Sequence, residues 1–254
     1  MTEIALLMLA SLMAGCIDAI VGGGGLILTP ALFSVFPGAH PATLFGTNKV
    51  ASISGTSVSA SQYLQRVQLP WRTLAPATAA SLSGSFLGAW VVTIAPPDGF
   101  RRALPFVLLA VLVYTLVRKD MGSTHAPHHS SQTQTAIACA IGLAIGFYDG
   151  LFGPGTGSFL IFAFVRLLRF DFLHASASAK LLNVGSNVAA LILFGLTGHV
   201  WWQVGLAIAV ANVAGSIVGT RLALRHGVGF VRAAFIGVVG LLIIKTAWDS
   251  FLKT

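Results

Sequence analysis

Gly15-Cys16-Ile17-Asp18-Ala19-Ile20-Val21-Gly22-Gly23-Gly24-Gly25 places a carboxylate and four consecutive glycines inside an otherwise hydrophobic stretch. A related segment, Gly146-Phe147-Tyr148-Asp149-Gly150-Leu151-Phe152-Gly153-Pro154-Gly155, follows 131 residues later. The same offset, without a gap, pairs Lys49 with Lys180, Trp71 with Trp202, Gly84 with Gly215, Gly88 with Gly219 and Arg101 with Arg232. The chain therefore reads as a duplicated unit. Each copy interrupts a helix with residues that do not sustain one, beside a carboxylate that hydrocarbon rejects. Duplication with broken helices is how secondary transporters build a binding site near the middle of a bilayer.

Composition sets the environment. Of 254 residues, 56% are hydrophobic and 9% charged, with a mean hydropathy of +0.86. Soluble domains carry about 25% charged residues, and apolar runs near the ~20 residues needed to cross a bilayer recur along this chain. The expected fold class is an all-α polytopic membrane protein of two homologous repeats, each with a glycine-broken first helix or hairpin and three transmembrane helices. The repeats span residues 1–120 and 135–254, joined by a polar linker at 121–134 within a Ser-, Thr-, His- and Pro-rich stretch from Arg118 to Gln134. The net charge of +8 comes from Lys and Arg scattered singly or in pairs, which excludes a nucleic-acid surface. Cys16 and Cys139 form no CxxC pattern, and His125, His128 and His129 in the linker lack a companion ligand. The sequence implies no cofactor and no metal. Glu3 and the lack of an early Lys or Arg do not suit a cleaved signal. Met13–Cys16 is similar to a lipoprotein cleavage box, against which the repeat match argues.

The topology follows from length and charge. Taken as one helix, residues 4–36 would extend about 50 Å at 1.5 Å per residue, too long for a hydrocarbon core of roughly 30 Å. A break at Gly22–Gly25 and a return as a hairpin resolves this and leaves three full crossings per repeat. An odd number of crossings inverts the second repeat. One side then collects Arg66, Arg72, Arg118, Lys119, Arg166, Arg169, Arg225 and Arg232, and the other Arg101, Arg102 and Lys253. That bias is the positive-inside pattern, and it puts both termini on the periplasmic side. The remaining apolar segments fall near 44–64, 74–95 and 103–117 in the first repeat. In the second they fall near 136–150, 156–168, 175–196, 204–224 and 232–248.

Three matched sets of residues carry the candidate site. Asp18 and Asp149 either line it and couple protons or tether the unwound segments, since intramembrane carboxylates usually face a cavity or a partner. Gly22, Gly23, Gly24 and Gly25 in the first copy, with Gly153, Gly155 and Thr156 in the second, let a solute approach the backbone. The helix restarting after each break points N–H groups and a partial positive charge at it, which favours an anion. Thr29, Pro30 and Ser158 add hydroxyls and a helix stop nearby. Lys49, preceded by Asn48, and Lys180, three residues before Asn183, are either anion ligands and ion-pair partners of the aspartates or lysines snorkelling to the headgroups. Inversion would set one lysine toward each face, as inner and outer gates. Asn183 and Asn187 continue the Lys180 face of their helix, and Ser54, Thr56, Ser57, Ser81 and Asn212 also interrupt apolar runs. Gly84/Gly88 and Gly215/Gly219 are helix-packing faces of the small-xxx-small type.

These residues together resemble the TauE/SafE (toluene-sulfonate uptake permease) family, across nearly the whole chain. The resemblance is carried by the glycine-rich break ending at Pro30, the Gly46-Thr47-Asn48-Lys49 segment, Gly146–Gly150 with Phe152-Gly153-Pro154, and Ala179–Asn183. The last three make it most similar to the YfcA-like branch. The resemblance implies a secondary transporter of the bacterial inner membrane that moves sulfite or organosulfonates, usually outward; it supplies no agreed binding residues. The expected partners are a small anionic solute, protons and the lipid bilayer, and a homo-oligomer is compatible with the sequence. Two other classes stand against transport. A membrane scaffold would bury the Asp and Lys pairs fully satisfied. An intramembrane enzyme would need Asp18 and Asp149 within a few ångströms, and neither follows a Gly-x-Gly.

Overall fold

The computed structural model describes the backbone of residues 2–117 and 130–251, with side chains described up to His226 except at 112 and 115–117. The linker residues 118–129, with Arg118, Lys119, His125, His128 and His129, lie outside the described residues, as do Lys253 and the side chain of Arg232.

Helices account for nearly all of the described backbone: α1 (Thr2–Val21), α2 (Gly25–Val35), α3 (Pro41–Leu64), α4 (Trp71–Ile94), α5 (Pro97–Val117), α6 (Ser131–Leu151), α7 (Thr156–Leu168), α8 (Phe172–Leu196) and α9 (Trp202–Phe251). Among them α1, α4, α6, α8 and the Trp202–His226 part of α9 are long and apolar enough to cross a bilayer. Leu6, Leu9, Trp90, Leu196, Leu206 and Val210 point outward from the bundle, as suits a hydrocarbon solvent.

Both breaks fall where the glycines are. After the break α2 turns back along α1. Gly24 lies against Ala14 and Asp18, and Leu28 and Leu32 share a buried cluster with Leu7 and Ala14. Three details depart from expectation. Pro30 lies inside α2 rather than ending it. α6 starts at Ser131, inside the expected linker, because Ser130 caps it by accepting from the Thr133 N–H. The segments expected at 204–224 and 232–248 share the single helix α9. In the first repeat Pro96 and Pro97 separate α4 from α5; the matching positions hold Gly227 and Val228, so the proline that would remove backbone donors there is missing.

Helix directions come from contact order. Ser11 bonds Ile208, while Gly15 meets Asn212 and Gly219 meets Cys16, so α1 and α9 are parallel. By the same logic Ala77–Gly142, Ser81–Gly146 and Ser85–Gly150 contacts make α4 and α6 parallel. In contrast, Gly46 touches Phe194 whereas Tyr63 lies under Lys180. α3 and α8, which are equivalent under the 131-residue offset, therefore run antiparallel.

The close contacts are reciprocal. Gly84 packs on the Leu143 carbonyl and Gly215 on that of Leu12; Gly88 packs on Phe147 and Gly219 on Cys16. In each couple both partners shift by the same offset. A contact in which residue i meets j while the equivalent of j meets that of i is the mark of a two-fold relation. A methyl group at any of these four glycines would collide with the facing carbonyl.

Candidate functional site

The two interruptions meet. Gly22 lies against Gly157, and Gly25 against Pro154. The Ser158 N–H donates to the Gly22 carbonyl at 3.2 Å, and the Ser158 hydroxyl donates to that of Val21 at 2.7 Å. Gly22 has φ +79°, and Gly153 and Gly155 have +89° and +79°. This is the left-handed region that costs an L side chain roughly 1–2 kcal/mol. Gly22 is doubly constrained, because a Cβ there would also strike the Gly157 backbone.

A helix that stops inside a bilayer leaves its last carbonyls without partners. Here the Gly22 N–H closes the last turn on the Asp18 carbonyl at 2.8 Å, and side chains supply further donors. The Asp18 carbonyl accepts from Lys180 Nζ at 2.9 Å, and the Ala19 carbonyl accepts from the Tyr63 hydroxyl at 3.1 Å. Lys180 therefore sits at the negative end of the α1 dipole, where a cation is favoured. In the second break the Tyr148 hydroxyl donates to the Pro154 carbonyl at 2.6 Å, and the Thr156 hydroxyl donates to that of Gly153 at 2.8 Å.

The lysines reach across to the opposite repeat. Lys49 Nζ on α3 donates to Asp149 Oδ2 on α6 at 2.7 Å, with side chains only 4% and 3% exposed. Lys180 on α8 is equally buried and lies 5.4 Å from the Tyr63 ring centre. Neither lysine snorkels. The two sites are equivalent in sequence but not in state. Lys49 holds the Asp149 carboxylate, whereas Lys180 holds only the Asp18 main chain. The Asp18 carboxylate instead accepts from the Gly24 N–H at 3.4 Å and from the Thr56 hydroxyl at 3.2 Å.

The remaining sequence candidates line the same two helices. Asn48 Nδ2 donates to Thr29 Oγ1 at 3.3 Å, which ties α3 to α2. Asn183 accepts from Asn187 Nδ2 through its side-chain oxygen at 3.0 Å, so it belongs to a stripe along α8. Gly23 meets only side-chain atoms at ordinary contact distance. The N–H groups expected to face an anion are partly taken: Gly24 by Asp18, and Ser158 by Gly22. Tyr63 and Tyr148, which join the site, carry no sequence signal beyond their types, because a tyrosine in an apolar run reads as packing.

Among the described residues, Asn48 Oδ1, Ser176 Oγ, Ser178 Oγ and Asn187 Oδ1 are buried without a partner. All four lie on α3 and α8, the helices that carry the lysines. An unpaired buried polar group costs about 1–3 kcal/mol. The aspartates bond to different groups and not to each other, so the arrangement is not that of a carboxylate pair sharing one proton.

A family model described as Sulfite exporter TauE/SafE matches residues 7–246. Probable membrane transporter protein ORF9 of Sinorhizobium sp is 37% identical over 246 residues, covering 97% of this chain and 93% of that one. Probable membrane transporter protein YfcA of Escherichia coli K12 is 34% identical over 244 residues, covering 96% and 89%. A probable membrane transporter protein of Haemophilus influenzae is 32% identical over 247 residues, covering 97% and 95%. No solved structure matches.

Proposed function

The chain belongs to the sulfite exporter TauE/SafE family, a multi-pass membrane family whose relatives are named as transporters, and from that footing we propose that it exports a small oxyanion such as sulfite or an organosulfonate. The membrane is the bacterial inner membrane, and the binding site is where the two broken helices meet. Lys49 and Lys180 are the anion's ligands, supported by Asn48 and the glycine backbone.

The observation that carries this reading is the unequal state of the two Lys–Asp couples. The antiparallel α3 and α8 and the reciprocal contacts support an inverted repeat, in which opposite-facing states arise when the two halves exchange conformations. In the state seen here Lys49 is locked to the Asp149 carboxylate, whereas Lys180 bonds the Asp18 carbonyl over the Tyr63 ring and makes no hydrogen bond to the Asp18 carboxylate. Exchange gives the converse: Lys180 closes on Asp18, and Lys49 moves to the Asp149 main chain. Each ion pair closes one route while the other lysine is left for an anion. A proton on Asp149 would release Lys49, linking proton binding to anion binding at one ammonium group.

A scaffold reading draws on the satisfied Lys49–Asp149 pair. It leaves the unequal second couple without a purpose. Flux separates the two. Purified protein in proteoliposomes should give saturable sulfite or sulfonate flux that Lys180→Ala and Lys49→Ala abolish. Absence of flux for sulfite, thiosulfate and short sulfonates alike would favour the scaffold.

A further inference from the structure

The N-terminal ends of α3 and α8 occupy equivalent positions but are capped differently. Asp171 caps α8, accepting from the His174 N–H at 2.8 Å. His40 caps α3, with Nδ1 accepting from the Ala42 N–H at 3.2 Å. Asp is among the best N-caps, and histidine is not among the preferred ones. Capping alone therefore does not explain His40.

What surrounds His40 suggests why an acid is kept out. The His199 ring, from the connection between α8 and α9, stands 5.3 Å away, centre to centre. Arg101 from α5 donates to the Ala39 carbonyl and lies 5.6 Å from the Phe33 ring centre. Because Nδ1 of His40 accepts a hydrogen bond, its ring proton is on Nε2, a donor not used in the cap. Burial, followed by the charges of His199 and Arg101, pushes the His40 imidazole below its ordinary value. Both neighbouring charges have its own sign. The cluster lies at the end of the bundle opposite Arg66, Arg72, Arg166 and Arg169, so the positive-inside bias does not account for it. It stands about 13 Å along α3 from Lys49.

We propose that His40, His199 and Arg101 form a docking site for a small oxyanion at one mouth of the pathway, separate from the central lysines. It rests on the anion-transport reading for its purpose but not for its detection. Among the described residues no carboxylate pairs with these groups. A bound anion supplies that counter-charge, so binding and imidazole protonation reinforce each other. The proton added to His40 takes Nδ1 and replaces the Ala42 cap bond. Docking strengthens as pH falls through the imidazole range.

The test uses the full-length protein with labelled histidines, titrated by NMR with methanesulfonate, which stays ionised throughout. The His40 midpoint should rise saturably with sulfonate, and the rise should vanish in Arg101→Gln. A His40 midpoint that does not move with sulfonate overturns the proposal. In proteoliposomes, KM for external sulfonate should rise about 3- to 10-fold between pH 5.5 and 8. That rise should shrink at least threefold in the double variant H40N/H199N, which leaves only the dependence carried by Asp149 and keeps the α3 cap because asparagine is itself a preferred N-cap residue. Wild-type pH dependence persisting in that variant also overturns it. Saturable midpoint shifts without any flux would support docking while refuting the transport reading. Flux without shifts would do the reverse.

Discussion

Replacing Lys49 with methionine keeps most of the apolar stem of the side chain and removes the ammonium group at its tip. In the structure this leaves Asp149 with no cationic partner in a pocket where its side chain is 3% exposed. Breaking a buried ion pair by deleting one member costs about 3–5 kcal/mol, because the surviving charge stays desolvated. For a chain of this size roughly 2–4 °C of Tm accompanies each kcal/mol, so K49M should unfold about 6–20 °C below the parent in detergent. Adding Asp149→Asn removes the stranded charge, and the double variant should recover most of that loss. Transport should stay abolished in both variants that lack Lys49, since its ammonium group is the proposed anion ligand. A four-way cycle of melting temperatures, read by tryptophan fluorescence, measures the coupling. A K49M shift under about 2 °C, or single losses that simply add in the double variant, would show that the pair is not closed as described.

Gly22→Ala should be far costlier than Gly38→Ala. The first combines a left-handed backbone with a clash on Gly157, whereas a methyl at Gly38 meets nothing. Yield and melting temperature should fall sharply for one and stay within about 0.5 kcal/mol for the other. Ser158→Ala removes the hydroxyl that satisfies the Val21 carbonyl, and loss of one buried partner should cost about 1–3 kcal/mol by denaturant melting. Thr56→Val should remove one donor to the Asp18 carboxylate. If the two Lys–Asp couples exchange, it should change flux more than stability, visible as altered turnover with a Tm within a few degrees of the parent.

The repeat offset, the glycine breaks and the lysine and aspartate pairs were legible because each involves a residue type that a lipid-exposed helix rejects. Charge placement and the length of residues 4–36 then suffice to expect a hairpin. Three things were not legible. The pairing of Lys49 with Asp149 rather than Asp18 depends on which repeat supplies the facing helix, and one sequence carries no record of that. Tyr63 and Tyr148 hydroxyls complete broken helix ends, but a phenol in an apolar run looks the same when it merely packs. The continuity of α9 turns on a missing proline pair at residues 227 and 228, visible only once the halves are superposed residue by residue. The expected anion-facing N–H groups were reasonable from helix dipoles alone; the structure shows Gly24 and Ser158 already engaged, by Asp18 and by the opposing break.

The most direct test is equilibrium binding of sulfite and methanesulfonate to the purified protein by calorimetry, alongside Lys180→Met. If the paired interruptions form an oxyanion site, the parent should bind at least one of these with one-to-one stoichiometry. Lys180→Met should lose at least tenfold in affinity while remaining folded. Equal binding by parent and variant, or no heat from any sulfur oxyanion in a well-folded preparation, would contradict the account.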